Sequence, residues 1–424
     1  MKGYLNTYNK DECFGCEACV QVCSKNAIKM VEDCEGFRYP VVNDSICINC
    51  GLCNSVCPYE NPPKKMQSSN YAFGGYIKDE NIRFSSTSGG AFSAIVDAYC
   101  DENYAIFGAA SDGLNIFHTY ITNKKDIGIF RKSKYSQSKI GTSYKDVRTF
   151  LLSGKKVLFS GTPCQIAGLK KYLRNTNTTN LLTVEVVCEG IPSPLYIRKY
   201  EKSLEKKYGR KIESLDYRYT GKSCFNCGKW DFEAMKVNTK IGGGGKWDFQ
   251  VMKTRLVDNK KEIIVDRWFN PFWSIWLQHL MSRPSCYECP FAKSERIADI
   301  TLGDLWGVHL YCPELYGNNG GASVVFANSD RGKEILLKAQ EKMYGHELEV
   351  NAALKYQGPM RKHIDSNPSR SDFIKDLQSD MRYEDINKKW AKKPTLKLLW
   401  QKYVWGNRQK IWLWNITNGK YKIK

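Results

Sequence analysis

The chain has 424 residues, of which 42% are hydrophobic and 25% are charged, and its formal net charge is +20. This is the composition of a water-soluble protein of two or three domains, and no apolar stretch reaches the ~18 residues that a membrane-spanning helix needs. The 17 cysteines and the absence of an apolar secretory signal at the N-terminus favour metal or redox chemistry in the cytoplasm over disulfide bonds.

Eight of the cysteines form two runs with one spacing within the first 57 residues. The runs are Cys13-x2-Cys16-x2-Cys19-x3-Cys23 and Cys47-x2-Cys50-x2-Cys53-x3-Cys57. This is the ligand pattern of a bacterial two-cluster ferredoxin, in which the fourth cysteine of each run ligates the other cluster. The pattern predicts one [4Fe–4S] cluster held by Cys13, Cys16, Cys19 and Cys57, and a second held by Cys47, Cys50, Cys53 and Cys23. Zinc knuckles share no fourth cysteine, and a disulfide framework would require export, so both alternatives are disfavoured.

Beyond Pro62 and Pro63 the hydrophobic pattern changes to short strands that alternate with helices. It predicts strands over residues 71–77, 105–109, 157–160 and 181–187, and helices over 90–99, 144–152 and 165–173. Such alternation is typical of an α/β layer with substantially parallel strands, whose ligands bind beyond the carboxyl ends of the strands. We therefore expect an α+β ferredoxin-like dicluster module over residues 1–62, followed by an α/β domain over residues 70–370.

Three segments at predicted strand ends carry residues capable of chemistry. Residues 85–90 (SSTSGG) place small hydroxyls and two glycines before a helix, where backbone N–H groups can approach a phosphate or a flavin. Thr162 and Pro163 are typical of a helix start, and they leave Cys164 in the positive field of that helix, where a thiolate is favoured. The third segment contains Cys188, directly after an apolar run.

Farther along the chain, Cys286-x2-Cys289 repeats the short metal-ligand spacing. With Cys164 and Cys188 these residues supply the four thiolates of a third [4Fe–4S] cluster, although no sequence spacing links all four. The alternative is a four-cysteine zinc site that combines Cys286 and Cys289 with Cys224 and Cys227. The residues by themselves leave both alternatives open.

Two further segments look like additions to this framework. Residues 228–237 recur as 245–254 across a glycine-rich turn, which predicts a duplicated hairpin in a β-rich insertion over 222–256. Residues 386–424 contain eleven Lys or Arg, five Trp and no Asp or Glu. We favour a helical basic tail that packs its tryptophans on the body, with peripheral membrane contact as the next alternative. Nucleic acid is not expected as a partner, because no recognition motif accompanies the charge.

Taken together, these stretches resemble the coenzyme F-420 hydrogenase/dehydrogenase beta-subunit family. The matching segments are 85–95 (SSTSGGAFSAI), 133–138 (SKYSQS), 159–173 (FSGTPCQIAGLKKYL), 184–194 (VEVVCEGIPSP), 286–292 (CYECPFA) and 298–307 (ADITLGDLWG). The resemblance implies a flavin, FAD in characterised relatives, beside a [4Fe–4S] cluster ligated by Cys164, Cys188, Cys286 and Cys289. It also implies a flavin site lined by Ser86, Ser88, Gly89, Gly90, Tyr135, Gln137, Ser138, Thr162 and Asp304.

The activity that the resemblance implies is that of an iron–sulfur flavoprotein oxidoreductase. Single electrons from a ferredoxin or another redox protein would reach the flavin through the clusters, and the flavin would exchange two electrons with a small-molecule or deazaflavin substrate. The net charge is compatible with an acidic ferredoxin partner. Two alternatives remain: a non-catalytic electron-carrier or adaptor protein with a structural zinc site, and a membrane-surface assembly factor that acts through the tail.

Overall fold

The structure, a computed structural model, describes residues 2–64, 68, 71–219, 251–258, 262–266, 269–308, 312, 315, 321–397 and 400. Most of the predicted duplicated hairpin, together with Cys224 and Cys227, lies outside these residues. The predicted tail is described only up to residue 397 and at residue 400.

The N-terminal module is built from short elements around its two cysteine runs. Its strands β1 (Ile28–Glu32) and β2 (Arg38–Val42) pair antiparallel, and its helices are α1 (Tyr4–Thr7), α2 (Ala18–Val22) and α3 (Leu52–Ser55). Glu17 and Gly51, at equivalent positions of the two runs, both adopt the left-handed conformation and begin α2 and α3 respectively. The two runs therefore fold alike, as their common spacing predicts.

Two sheets organise the rest of the described chain. Their strands are β3 (Tyr71–Ile77), β4 (Tyr104–Asp112), β5 (Asn115–Ile121), β6 (Lys156–Gly161), β7 (Leu181–Val186), β8 (Ile212–Tyr219), β9 (Val251–Leu256), β10 (Glu262–Asp266), β11 (Ile300–Asp304), β12 (Ser323–Ala327) and β13 (Met343–Leu348). Strands β8, β9 and β10 form a small antiparallel sheet, and the other eight form a mixed sheet in the order β13-β3-β12-β11-β7-β6-β4-β5. Only the neighbours β4, β6, β7 and β11 are parallel to one another, so the parallel arrangement predicted from the sequence is confined to the middle of the sheet.

Helices cover both faces of the mixed sheet, and further helices pack against the small antiparallel sheet. They are α4 (Glu80–Ser85), α5 (Ala91–Tyr99), α6 (Ser143–Leu152), α7 (Pro163–Tyr172), α8 (Pro194–Tyr208), α9 (Pro271–Trp276), α10 (Asp330–Gln340), α11 (Val350–Lys355), α12 (Arg370–Gln378) and α13 (Tyr383–Trp390). On one face α5 and α10 share a hydrophobic core with the strands. On the other face α6 and α7 share a core with residues of the N-terminal module such as Phe14 and Val56. The module is therefore packed directly against the end of the sheet where α7 begins.

A third core joins α8, α9, α12 and α13 to the small antiparallel sheet. The start of the predicted tail belongs to this core, because Ile386 is fully buried and the ring of Trp390 lies 5.6 Å from that of Phe373. Farther along, Leu396 and Trp400 are exposed. No helix within the described part of the chain combines the length and apolar character needed to cross a membrane.

Candidate functional site

Five cysteines of the N-terminal module line one cavity with an empty volume of about 480 Å³. They are Cys13, Cys16, Cys19, Cys53 and Cys57. Four of them are the set that the spacing assigns to the first cluster. The structure therefore brings Cys57 to the other run of cysteines, as the ferredoxin pattern requires.

The second predicted set of the module lies nearer the surface. Cys50 is exposed, whereas Cys23, Cys47 and Cys53 are half-buried. The backbone N–H of Ala27 donates a hydrogen bond to the sulfur of Cys23 at 3.3 Å, and that of Asn49 donates to the sulfur of Cys47 at 3.5 Å. Hydrogen bonds to the ligand sulfurs are one of the features that set the reduction potential of an iron–sulfur cluster.

Four cysteines from three distant segments meet in a second cavity, with an empty volume of about 600 Å³. They are Cys164, Cys188, Cys286 and Cys289. Cys164 lies in the first turn of α7, Cys188 follows β7, and the other two belong to the loop before β11. Because β6 and β7 are parallel neighbours, their carboxyl ends bring Cys164 and Cys188 to the same edge of the sheet.

Burial controls the chemistry of these four thiols. Together with the nearby thiols, it raises the pKa of Cys286 to about 12 and that of Cys289 to about 11. Burial also raises the pKa values of Cys164 and Cys188. At Cys164, burial outweighs the hydrogen bond from Thr162, so the pKa of this thiol is raised while no metal is bound. Metal binding at this cavity would have to displace protons.

The spacing of the described cysteines bears on the type of metal group. Within the described part of the chain, no three His, Cys, Asp or Glu side chains converge closely enough to hold one metal ion. A zinc ion needs its sulfur ligands ~2.3 Å from a single centre. A cubane binds each cysteine at a different iron, so its ligands lie farther apart. Four cysteines are the number of ligands that either group takes.

Phe14 and Arg283 connect the two cavities. Phe14 lines both of them, and its ring lies 5.2 Å from that of Phe291. Arg283 lines the second cavity and donates a hydrogen bond from Nε to the carbonyl oxygen of Cys13 at 2.9 Å. The two cysteine sets are thus separated by a few shared side chains.

A buried hydrogen-bond network lies behind Cys164. The Thr162 hydroxyl is 3.1 Å from the Cys164 sulfur, and the Thr162 N–H donates to Gln165 Oε1 at 3.0 Å. Gln165 Nε2 donates to Ser138 Oγ at 2.9 Å, and Ser138 lies 2.8 Å from His118 Nδ1. Ser138 and Thr162, both predicted for a flavin site, are therefore linked to Cys164 through this network, and His118 is a member of it that the sequence did not indicate.

The predicted cradle at residues 85–90 is a tightly packed turn. Ser86 donates to the carbonyl of Ile82 at 2.7 Å, and Ser88 donates to that of Ala322 at 2.6 Å. The N–H of Ser133 donates to the Thr87 hydroxyl at 2.8 Å. The turn thus meets the 133–138 segment beside Gly90, where α5 begins.

The remaining predicted flavin residues lie in two other places. Tyr135 and Asp304 both adjoin Arg218, which forms a buried ion pair with Asp304 and a hydrogen bond with Tyr135. Gln137 instead faces the N-terminal module, where its Nε2 donates to the carbonyl of Phe14 at 2.7 Å. The nine residues therefore lie in four places rather than in one continuous lining. Arg218 and Arg283 were missed because their partners are distant in the sequence, although Arg283 stands only three residues before Cys286.

Comparison with known proteins gives two matches to family models. Residues 154–352 match the model for the C-terminal part of the coenzyme F420 hydrogenase/dehydrogenase beta subunit, and residues 12–61 match that of a 4Fe-4S dicluster domain. The second match includes both N-terminal cysteine runs, and the first includes the four cysteines of the second cavity. The resemblance indicated by the sequence motifs is confirmed.

Among solved structures, the chain is similar to one in the F420-reducing [NiFe] hydrogenase complex from Methanosarcina barkeri. The sequences are 15% identical, the TM-score is 0.42, and the similarity covers 72% of this chain and 97% of that chain. No curated protein matches.

Proposed function

Because residues 154–352 belong to the coenzyme F420 hydrogenase/dehydrogenase beta-subunit family and residues 12–61 are a 4Fe-4S dicluster domain, we propose that this chain is a flavin-dependent iron–sulfur oxidoreductase. The two family matches support iron–sulfur electron transfer by an oxidoreductase. The third cluster, the flavin and the substrate are the further parts of the proposal.

The observation that supports the proposal of a third cluster is the meeting of four cysteines in one cavity. Cys164, Cys188, Cys286 and Cys289 are brought there by three separate segments, and the cavity adjoins the N-terminal cysteines through Phe14. This donor set fits a [4Fe–4S] cluster, which needs four cysteine thiolates. We assign these four residues as its ligands, beside two clusters held by the eight cysteines of the N-terminal module.

The flavin would be held where residues 85–90 and 133–138 meet at the start of α5. The first N–H groups of a helix have no partner within the helix, and they suit the phosphates of a cofactor such as FAD. A bound flavin supplies the exchange between single electrons and electron pairs. Burial raises the pKa of Tyr135 to about 12, so this phenol stays protonated at neutral pH and can donate a hydrogen bond. Asp304 forms a buried ion pair with Arg218.

The proposed partners follow from this arrangement. A ferredoxin or another redox protein would supply or receive single electrons at the N-terminal module, where Cys50 is exposed. A small molecule or a deazaflavin would exchange two electrons at the flavin. We further propose the domain boundaries 1–62, 70–370 and 386–424, with the insertion over 222–256.

The test is the iron, zinc and flavin content of protein purified without oxygen, compared with that of two variants. We expect about twelve irons and no zinc in the wild type, and about eight irons in Cys164→Ala, since one cluster of four irons is lost. Cys100→Ala is the matched control, because Cys100 is fully buried in the core between α5 and the sheet, away from both cavities. This control should keep all the iron.

About eight irons with one zinc in the wild type would contradict the third cluster and favour the adaptor protein. Protein with about twelve irons but no extractable flavin after anaerobic purification would contradict the flavin-dependent activity. Equal iron loss in Cys164→Ala and Cys100→Ala would show that the loss reflects general destabilisation.

A further inference from the structure

Arg283 is a buried cation with only uncharged hydrogen-bond acceptors. Its side chain is 1% exposed, and it donates to the carbonyl oxygens of Cys13 at 2.9 Å and Arg38 at 3.1 Å and to Gln137 Oε1 at 3.1 Å. Its guanidinium also lies 4.3 Å from the ring centroid of Tyr39. Among the described residues it forms no ion pair with a carboxylate.

Two other buried arginines and the half-buried Arg370 do have such a partner. Arg296 is paired with Glu185, Arg218 with Asp304, and Arg370 with Glu35. Burying a charge without a counter-charge is strongly unfavourable. The surroundings of Arg283 must therefore supply negative charge in another form.

The anionic groups available to Arg283 are cysteine sulfurs. Cys13, Cys164 and Cys286 interact electrostatically with its guanidinium. Cys13 belongs to the first cavity, and the other two belong to the second. Neutral thiols cannot balance the charge, whereas clusters ligated by four thiolates are negatively charged. Arg283 is thus placed to face two anionic clusters at once.

We propose that Arg283 is the shared counter-cation of the first N-terminal cluster and the third cluster, and that its charge raises the reduction potential of both. A nearby positive charge stabilises the reduced form of a cluster more than the oxidised form, because reduction adds a negative charge. The low dielectric of a buried site strengthens this effect. The inference rests on the proposed function, because it requires both clusters.

Two substitutions separate the charge of Arg283 from its hydrogen bonds. Arg283→Met removes the charge. Arg283→Lys keeps the charge but lacks the planar guanidinium and its several N–H donors. Each protein is purified without oxygen and titrated with a reductant while the cluster signals are followed by electron paramagnetic resonance. In Arg283→Met we expect two of the three midpoint potentials to become more negative. The midpoint potential of the other N-terminal cluster, at Cys23, Cys47, Cys50 and Cys53, should not change.

Arg370→Met is the matched control for this experiment. Arg370 also joins the body to the N-terminal module, through Glu35, but it has a carboxylate partner and lines neither cavity. This variant should keep all three potentials. In Arg283→Lys the two sensitive potentials should lie closer to the wild type than those of Arg283→Met.

Wild-type potentials in Arg283→Met would overturn the inference while leaving the proposed function intact. An equal shift in Arg283→Lys and Arg283→Met would also overturn it, since the hydrogen bonds would then be responsible. If Arg283→Met loses iron, Arg283→Lys decides: full iron with near wild-type potentials supports the inference, and loss of iron there too contradicts it. Failure of the proposed function would instead appear as about eight irons in the wild type.

Discussion

His118 is a residue whose buried position has a consequence for the pH dependence of stability. It lies on β5, its ring stacks on Phe159 at 5.2 Å, and its two nitrogens face Ser138 and the carbonyl of Ser160. Because a carbonyl can only accept, Nε2 donates to it and Nδ1 accepts from the Ser138 hydroxyl. Burial lowers the pKa of His118 from 6.5 to about 4, so the imidazole is neutral in the folded protein.

This shift predicts a loss of stability on mild acidification. As the pH falls below 6.5, the unfolded chain binds the proton first, so the free energy of unfolding decreases until the folded pKa of about 4 is reached. Between pH 7.5 and 5.5 the contribution of His118 decreases by about 1 kcal/mol. The denaturant midpoints of the wild type and His118→Gln should therefore lie closer together at pH 5.5 than at pH 7.5. His363→Gln, at an exposed histidine, is the control. The prediction is refuted if the difference between the denaturant midpoints of the wild type and His118→Gln is the same at pH 5.5 and pH 7.5.

Single residues also show where sequence reasoning succeeds and where it ends. Thr162 and Pro163 begin α7 as predicted, because a helix start depends on neighbouring residues. The meeting of Cys164 with Cys188 and the 286–289 pair depends on strand order, so the residues alone left it open beside a zinc site, and the family resemblance favoured it. Arg283 could not be recognised, since its hydrogen-bond partner Cys13 is 270 residues away in the chain.

Among the strands, β3 shows that the bounds of an element can be predicted from the sequence while its neighbours in the sheet cannot. Its bounds, Tyr71–Ile77, agree with the prediction because its apolar run is continuous. Its position between β12 and β13, antiparallel to both, was not predicted. Alternating strands and helices indicate parallel neighbours, but they carry no information on antiparallel strands added at the edge of the sheet.

The turn between α4 and α5 gives a test of whether Gly89 serves packing or a cofactor. A Cβ at Gly89 would lie 2.4 Å from the carbonyl oxygen of Gly75 and 2.6 Å from the N of Ser323. These are backbone atoms that cannot easily move, so Gly89→Ala should lower the free energy of unfolding by about 1–3 kcal/mol. Gly128→Ala, where nothing lies within 4 Å of the added Cβ, should change it by less than about 0.5 kcal/mol.

Chemical denaturation of both glycine variants, with their iron and flavin contents, distinguishes the two roles. Packing predicts lower stability for Gly89→Ala with the cofactors retained in the folded protein. Loss of flavin at unchanged stability would show instead that Gly89 acts mainly at the cofactor.

At the scale of the whole molecule, charge is distributed unevenly along the chain. Residues 1–62 contain five Lys or Arg and eight Asp or Glu, although the whole chain has a net charge of +20. The excess of positive charge therefore lies outside the module that would receive a redox partner. An acidic ferredoxin would be attracted to the molecule as a whole, but the local charge of the module does not itself favour it.

The end of the chain combines positive charge with apolar side chains that are exposed to solvent. Helix α13 packs through Ile386, whereas Leu396 and Trp400 are exposed, and residues 395–424 carry seven of the eleven Lys or Arg of the tail. Such a segment suits the surface of an anionic membrane. We predict that a chain ending at residue 394 keeps its iron and thermal stability but loses binding to vesicles that contain phosphatidylglycerol. Cosedimentation at low and high salt measures this, with binding of the full chain weakening as salt increases.

A chain ending at residue 382 is the comparison that separates the two parts of the tail. It lacks α13 and with it the buried Ile386 and the contact between Trp390 and Phe373. Burial of one such large side chain contributes about 1.5–3 kcal/mol, so this chain should be less stable than the one ending at 394. Vesicle binding by the chain ending at 394 that equals that of the full protein would show that residues 395–424 are not a membrane contact. Equal stability of the two shortened chains would mean that α13 does not hold the third core together.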